Sequence, residues 1–311
     1  MSVATYAGLS MATILVTGGS GFIGGHFCRK ATDLGWNVVV LTRKTIAVAK
    51  KLPSTVHCIE RLSELDTHQP IEVILNLAGQ PLAEARWTAA RKQRFVDSRI
   101  QTTNQLYQYF SVQEIKPRVM ISGSAVGFYG SNNNLLDETG ARGDDFSARL
   151  CFAWEASAKQ FEGLGCRVCY LRTGIVLGEQ GALAKMLPAF KLALGGPIGD
   201  GRQWMSWIHI EDMVSLILYC INSDNLAGPV NAAAPNPVTN RVFSKTLGAA
   251  LHRPAIFAMP APVVRLLFGE MGEALLLQGQ AVVPKKLHDS GFEFTYPQLS
   301  EALRQLIGRN G

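Results

Sequence analysis

The sequence predicts an α/β fold: a doubly wound parallel sheet with a smaller, mostly helical C-terminal lobe. In the first half of the chain, short β-branched runs alternate with longer amphipathic runs. The short runs are apolar throughout, as expected for parallel strands that helices cover on both faces. After Thr173 the alternation stops, and glycine and proline turns become frequent. A chain of 311 residues is long enough for a nucleotide-binding domain and a smaller lobe.

The alternation assigns the elements in order along the chain. Strands are predicted at residues 14–17, 37–42, 56–59, 73–77, 119–122 and 167–173. Helices are predicted at residues 21–34, 91–110, 147–162 and 210–221. Residues 229–237 are predicted to form a loop, and residues 240–311 several helices separated by prolines.

Composition and charge narrow the possible function classes. Hydrophobic residues make up 47% of the chain and charged residues 17%, which predicts a large core rather than disorder. The formal net charge is +6, but the basic residues are scattered. Their densest group has helical spacing, which favours a solvated face or a phosphate contact over a nucleic-acid surface. That group is Arg86, Arg91, Lys92, Arg94 and Arg99.

The six cysteines are predicted to be buried free thiols. Only Cys166 and Cys169 are close in sequence, within an apolar run that is typical of a strand. Positions three apart on a strand face opposite sides, so we expect neither a metal site nor a redox pair there. Free thiols fit a reducing, cytoplasmic location. No apolar run reaches the roughly 18 residues of a membrane span, and the first ten residues do not resemble a signal peptide.

A glycine-rich loop is the strongest local motif. Thr17-Gly18-Gly19-Ser20-Gly21-Phe22-Ile23-Gly24 follows a predicted strand and opens a predicted helix. Glycines at these positions allow a tight turn, the approach of a pyrophosphate to backbone, and close packing of helix on strand. The N–H groups at the start of the helix are available to an anion. The motif predicts a dinucleotide site formed by Gly18, Ser20, Gly21, Phe22, Ile23 and Gly24.

The end of the second strand predicts which dinucleotide is bound. NAD sites usually place an acidic residue there to bind the ribose 2′-OH, whereas this chain has Thr42-Arg43-Lys44. A guanidinium at this position can pair with a 2′-phosphate, so we expect NADP(H). The alternative is that Arg43 and Lys44 are solvated loop charges. We therefore divide the chain into an extension (1–10), an NADP-binding Rossmann domain (11–174, completed by about 207–228) and a substrate-side lobe (175–206 and 229–311).

Further motifs resemble the extended short-chain dehydrogenase/reductases. Their glycine loop is similar to the one described above, and their strand-four motif is similar to Asn76-Leu77-Ala78-Gly79. Their strand-five serine motif is similar to Ser122-Gly123-Ser124-Ala125, and a late histidine motif is similar to Trp207-Ile208-His209-Ile210-Glu211-Asp212-Met213.

Within that superfamily the chain resembles the atypical "epimerase family" proteins, named as NAD-dependent or sugar-nucleotide epimerases with a C-terminal domain of unknown function. The resemblance runs from about residue 11 to the end. The matching motifs include Arg86-Trp87, Asp97-Ser98-Arg99, Trp154-Glu155, the segment from Arg172 to Leu177, Gly195-Gly196-Pro197-Ile198-Gly199, Gly269-Glu270, Pro284-Lys285 and Gly291-Phe292. The resemblance implies NADP contacts from Thr42, Arg43, Leu77, Ala78, Gly79, Arg99 and Val176. For Arg99, an ordinary helix-surface or buried-pair arginine is the alternative.

The catalytic pair of the superfamily is missing. Ordinary members use Tyr-x-x-x-Lys, in which the lysine lowers the tyrosine pKa for proton transfer. No lysine of this chain has a tyrosine four residues before it. Leu150 or Cys151 stands where the tyrosine is expected, and Trp154 or Glu155 where the lysine is expected.

Other side chains are candidates for the missing chemistry. Ser124 is a candidate hydrogen-bond donor and Tyr129 a candidate substitute acid, although each has a structural alternative. Glu155 is a candidate base, but an exposed or salt-bridged helix residue is favoured there, and a structural role is favoured for His209. Lys185 is either a ligand for an anionic substrate or solvated, and Trp204 and Trp207 belong to the core or line a pocket.

These features predict an NADP(H)-dependent oxidoreductase or epimerase-like enzyme of atypical mechanism. Its small-molecule substrate, of unknown identity, is expected between the sheet edge and the C-terminal lobe. The rival hypothesis is a non-catalytic NADP(H)-binding sensor. We expect neither a metal site nor a nucleic-acid or membrane partner, and a homodimer is one possible assembly.

Overall fold

The computed structural model describes residues 12–66 and 68–308, so the predicted extension at residues 1–10 lies outside the described part. Its centre is a seven-stranded sheet. The strands are β1 (Thr13–Thr17), β2 (Asn37–Leu41), β3 (His57–Ile59), β4 (Val73–Asn76), β5 (Val119–Ala125), β7 (Arg167–Thr173) and β11 (Gly228–Ala232). They lie in the order β11-β7-β5-β4-β1-β2-β3, and every pair of neighbours is parallel. The predicted doubly wound parallel fold is confirmed.

Helices cover both faces of the sheet. Helices α1 (Phe22–Asp33) and α6 (Ile210–Asn222) pack on one face, and α3 (Ala89–Val112) and α4 (Phe146–Lys159) on the other. Side chains of one strand therefore enter two separate cores, Ile14 and Val16 on the α1 side and Leu15 on the α3 side. Burial on both faces explains the uninterrupted apolar strands of the sequence.

The chain reverses its winding direction between β1 and β4. From β1 it moves outward through β2, helix α2 (Thr45–Ala49) and β3, and then returns to β4 on the other side of β1. Doubly wound sheets bind ligands at the carboxyl ends of the strands beside such a switch point. The ends of β1 and β4 lie there side by side, because Thr17 pairs with Asn76.

The loop predicted at residues 229–237 is wrong for its first part, because β11 spans Gly228–Ala232 and completes the sheet. Pro229 has no N–H for a ladder, but β11 is an edge strand, where a proline is tolerated. Val230 and Ala232 are buried against the same core as β7.

The remaining elements form a lobe around a third apolar cluster, which contains Phe190, Trp207 and Phe243. Short strand pairs that the sequence analysis did not predict join this lobe to the sheet domain. They are β6 (Asn132–Leu136) with β13 (Gln280–Val282), β8 (Ile175–Leu177) with β10 (Trp207–His209), and β9 (Trp204–Met205) with β12 (Val238–Thr239).

The helices of this lobe are α5 (Gly181–Lys191), α7 (Asn240–Ala250), α8 (Ala261–Phe268), α9 (Glu270–Gly272), α10 (Lys285–Asp289) and α11 (Leu299–Gly308). The prediction of several helices after residue 240 is thus confirmed. Over the described residues, every helix is too short or too polar to cross a membrane.

Candidate functional site

The glycine loop lies at the switch point, between β1 and α1, and is packed against backbone. Gly18 has φ +73, and a Cβ built on it would lie 2.7 Å from the carbonyl oxygen of Leu77. A Cβ on Gly24 would lie 2.3 Å from the carbonyl oxygen of Gly18, so only glycine fits at position 24 in the first turn of α1. No side chain caps α1, and Ser20 and Gly21 are exposed. The loop therefore offers a backbone cradle with free N–H groups, which fits a pyrophosphate.

Hydrogen bonds hold the end of β4 beside this loop. The Thr17 hydroxyl donates to Asn76 Oδ1 at 2.6 Å, and the backbone N–H of Ala78 donates to the Thr17 hydroxyl at 3.1 Å. Leu77 donates its N–H to the Thr17 carbonyl oxygen at 3.2 Å. The backbone of Leu77 and Ala78 thus forms one wall of the cradle.

Arg43 follows β2 at the same edge of the sheet. Thr17 pairs with Leu41, which places the segment from Thr42 onward next to the glycine loop. Arg43 is exposed and makes no hydrogen bond or ion pair with another residue that the structure describes. Its guanidinium is therefore available to an anionic group bound in the cradle.

Val176 lies in β8, where it pairs with Ile208 of β10. Phe22, at the start of α1, reaches this region, since a Cβ on Gly178 would lie 2.4 Å from the Phe22 ring. The Phe22 ring also packs edge-on to His26, whose Nε2 lies 2.6 Å from Glu179 Oε1. The first turn of α1 thus packs against the segment that follows Val176.

A buried polar network occupies the place of the expected catalytic pair. Ser124, at the end of β5, donates its hydroxyl proton to Glu155 Oε1 at 2.7 Å. Glu155 accepts two hydrogen bonds from Arg172, each 3.0 Å long. Burial acts to lower the Arg172 pKa, but hydrogen bonds and charge from Glu155 raise it above its ordinary value.

One of the two residue pairs that the sequence left open lies beside Ser124. Glu155 accepts a hydrogen bond from the Ser124 hydroxyl, and Cys151 lies one helical turn before Glu155 in α4. Burial raises the pKa of the Cys151 thiol to about 11. Of the two structural roles expected for Glu155, exposed or salt-bridged, the structure shows the salt bridge.

Tyr129 lies within the same network. Its hydroxyl donates to Asn231 Oδ1 at 2.7 Å and accepts from Arg172 at 3.0 Å, and only 2% of the residue is exposed. Burial raises its pKa. These contacts favour the structural alternative for Tyr129, a packed aromatic residue whose hydroxyl is already paired. Asn231 and Glu138, which accepts from the N–H of Asn231, were not singled out from the sequence.

A cavity of about 200 Å³ lies between the carboxyl ends of β5 and β7 and the C-terminal lobe. Cys151 and Trp154 of α4 line it, as does Arg99 of α3. A Cβ on Gly79 would lie 2.8 Å from Arg99 Cζ, so the guanidinium passes directly over the strand-four motif. Arg99 thus lies between the strand-four motif and this cavity.

The other sequence candidates have mostly structural contacts. His209 caps α6 by accepting from the N–H of Glu211, and its other ring nitrogen faces Gln305. Lys185 donates to the carbonyl oxygen of Ala83. Trp207 is fully buried in the lobe core, whereas Trp204 lines the cavity. Within residues 12–66 and 68–308, no cluster of three potential metal ligands occurs, and all cysteines are free.

Comparison with known proteins shows which protein family this chain resembles. The model of the NAD dependent epimerase/dehydratase family matches residues 14–233, and that of a domain of unknown function, DUF1731, matches residues 259–306. Epimerase family protein YfhF of Bacillus subtilis is 37% identical over 297 residues, covering 94% of this chain and 97% of its own. Epimerase family protein Mb2239 of Mycobacterium bovis is 36% identical over 307 residues, covering 97% and 100%.

Solved structures show the same fold. The human epimerase family protein SDR39U1 (isoform2), solved with NADPH, has a TM-score of 0.87 at 31% identity and covers 95% of this chain and 99% of its own. A nucleoside-diphosphate sugar epimerase from Corynebacterium glutamicum has a TM-score of 0.77 at 28% identity, covering 98% and 61%. The UDP-glucuronic acid 4-epimerase of Bacillus cereus, at 19% identity and a TM-score of 0.76, is similar in fold alone, with coverage of 96% and 100%. The resemblance inferred from the motifs is confirmed.

Proposed function

The chain belongs to the NAD dependent epimerase/dehydratase family, and from that premise we propose that it binds NADP(H) and acts as an oxidoreductase or epimerase-like enzyme on a small molecule. One observation carries the proposal. The glycine cradle and the unpaired Arg43 lie at the same sheet edge as a cavity that the C-terminal lobe closes. A nucleotide in the cradle would reach that cavity with its nicotinamide end.

Arg43 is the reason for preferring NADP(H) to NAD(H). The exposed Arg43 guanidinium after β2 can bind a 2′-phosphate through charge-assisted hydrogen bonds. The segment Thr42-Arg43-Lys44 contains no acidic residue that would bind the ribose 2′-OH of NAD. The human relative solved with NADPH supports the same choice. The proposed cofactor contacts are Gly18, Ser20, Gly21, Phe22, Ile23, Gly24, Thr42, Arg43, Leu77, Ala78, Gly79 and Val176.

The chemistry differs from that of a tyrosine–lysine enzyme. The nicotinamide, when bound, supplies or accepts a hydride. Ser124 donates its proton to Glu155, so it polarises a substrate oxygen only after that proton turns away from Glu155. The hydroxyl of Tyr129 already has two partners. For a carbonyl reduction we assign the one proton that the alkoxide needs to water, and the residues of this chain bind and orient the substrate.

Titration with NADPH and NADH tests the cofactor, with tryptophan-to-nicotinamide energy transfer as the signal. We expect tighter binding of NADPH, and Arg43→Ala should weaken it by about 1–3 kcal/mol while leaving NADH binding unchanged. Arg253→Ala, which removes another exposed arginine in the C-terminal lobe, is the matched control. Equal or absent binding of both nucleotides would refute the assignment. Oxidation of NADPH by a panel of small carbonyl compounds then tests for turnover.

A second candidate function is a non-catalytic NADP(H)-binding sensor. The buried Glu155–Arg172 pair favours it, because Glu155 already accepts the proton of Ser124, one of the two catalytic candidates. In that case nucleotide occupancy would alter a surface that a partner protein recognises. Nucleotide-dependent partner binding without NADPH turnover would support the sensor over the enzyme.

A further inference from the structure

Arg99 is a buried cation without an anionic partner among the residues that the structure describes. Only 8% of the residue is exposed, and its guanidinium donates only to the carbonyl oxygens of Phe95 and Gln80, each at 3.1 Å. The guanidinium also lies 4.9 Å from the ring of Trp154. Burial lowers the Arg99 pKa to about 10, so the charge is held at a cost that a bound anion would offset.

Among the described residues, two buried polar atoms at the same cavity also have no partner. They are the hydroxyl of Ser147 and the indole Nε1 of Trp154, and both side chains line the cavity with Arg99. Buried polar groups are nearly always hydrogen-bonded, so two such groups in one cavity favour a ligand that can pair with them. Ser147 lies in the first turn of α4, where backbone N–H groups also favour an anion.

The carboxylate that lines this cavity already accepts a hydrogen bond from backbone. Asp145 lines the cavity too, but its Oδ1 accepts from the N–H of Ala148 as the cap of α4. Its Oδ2 lies beside Gly130, since a Cβ built there would be 3.7 Å away. Arg99 is thus the charge that the cavity leaves available to a ligand.

Most of the remaining wall of this small cavity is apolar, although Thr173, Ser206, Gln278 and Gln280 also line it. Its walls include Leu82, Leu150, Ile175, Met205 and Leu275, and the Leu82 wall is held by a hydrogen bond from Trp87 Nε1 to the Leu82 carbonyl oxygen. A volume of about 200 Å³ is below the roughly 300–1,000 Å³ of sites for drug-sized ligands, and a nicotinamide would take part of it. A nucleotide sugar, with its base, two sugars and two phosphates, would have to extend well beyond this volume.

We propose that this cavity is the substrate site and that it takes a small carboxylic acid with an apolar body, whose carboxylate binds Arg99. The inference rests on the proposed function for the reaction, but binding in the cavity can be measured separately. Arg99 then serves the substrate, whereas the family resemblance assigned it to the cofactor. The unpaired hydroxyl of Ser147 and the indole N–H of Trp154 supply further donors to the bound acid.

Isothermal titration of the wild-type protein with butyrate and benzoate, each compared with its uncharged amide, tests the charge requirement. We expect millimolar or tighter binding of the carboxylates and at least about tenfold weaker binding of the amides, because a charged hydrogen bond is lost. Equal affinity for acid and amide, or no carboxylate binding at millimolar concentration, would overturn the proposal. This arm needs no variant and no nucleotide.

Arg99→Met then tests whether Arg99 binds the carboxylate of a small acid or a phosphate of the nucleotide. We expect carboxylate affinity to fall at least about tenfold and NADPH affinity to stay unchanged. Arg94→Met, which removes an exposed arginine from the same helix, is the matched control. A loss of NADPH affinity with unchanged carboxylate binding would assign Arg99 to a nucleotide phosphate and overturn the proposal. Failure of the wild-type protein to bind NADPH would refute the proposed function, while the carboxylate titration would still decide the cavity's ligand.

Discussion

Glu155 and Arg172 face each other in a buried, doubly hydrogen-bonded ion pair, with Nε–Oε1 and Nη2–Oε2 distances of 3.0 Å. The pair joins α4 to β7. A lysine at position 155 would face the Arg172 guanidinium and repel it. The buried network of this chain therefore needs a negative charge at position 155 and a positive charge at position 172.

Removing one partner of this pair should destabilise the fold strongly. Glu155→Gln leaves the Arg172 charge buried and uncompensated, and we expect a loss of about 3–5 kcal/mol in the free energy of unfolding. Urea denaturation followed by circular dichroism measures it. Glu162→Gln, at an exposed position after α4, should cost much less, because the glutamine oxygen can still accept the hydrogen bond that the Tyr170 hydroxyl donates to Glu162 and no buried charge loses its partner. Equal losses for the two variants would contradict a stabilising role for the pair.

The local features of the site could be predicted from the sequence, and the long-range ones could not. The glycine loop and Arg43 are defined by neighbouring residues on one strand–loop–helix unit, so their pattern is visible in a short window. The bond between Tyr129 and Asn231 joins residues 102 positions apart and exists only because β11 continues the sheet beside β7. The proline in β11 concealed that strand, and with it the structural role of Tyr129.

Gly24→Ala should abolish nucleotide binding. Its Cβ would lie 2.3 Å from the Gly18 carbonyl oxygen, so the first turn of α1 must move away from β1 and the cradle must open. We expect no measurable NADPH binding in the energy-transfer titration, together with a lowered thermal midpoint. Gly163→Ala is the control, because no atom lies within 4 Å of the added carbon and both properties should stay near those of the wild type. Wild-type NADPH affinity in Gly24→Ala would show that the loop does not form the cofactor site.

Tyr129→Phe distinguishes a packing role from an acid–base role. Removing the hydroxyl leaves Asn231 Oδ1 without a donor in a buried network, which should cost about 1–3 kcal/mol of stability. We expect NADPH affinity and any measured turnover number to be unchanged once the variant is assayed below its unfolding temperature. A fall of a hundredfold or more in turnover, with a changed pH profile, would restore Tyr129 as the substitute acid.

Buried thiols should make the protein unstable in alkaline solution. Burial raises the pKa of Cys28 to about 12, that of Cys151 to about 11 and that of Cys166 to about 12, from an ordinary value of 9.0. Above pH 9 the unfolded chain loses these protons first, so the folded state binds more protons and its stability falls as the pH rises. Each thiol contributes a slope of up to about 1.4 kcal/mol per pH unit.

Urea midpoints measured between pH 7 and 10 test this expectation. They should be nearly constant up to about pH 8 and then fall, and Cys28→Ala should reduce the slope even though it lowers the midpoint at neutral pH by leaving a small void. Cys58→Ala is the control, because this thiol is only partly buried and its pKa is raised less. A slope above pH 9 that is the same in wild type and Cys28→Ala would mean that other groups, such as the buried Tyr129, cause the alkaline transition.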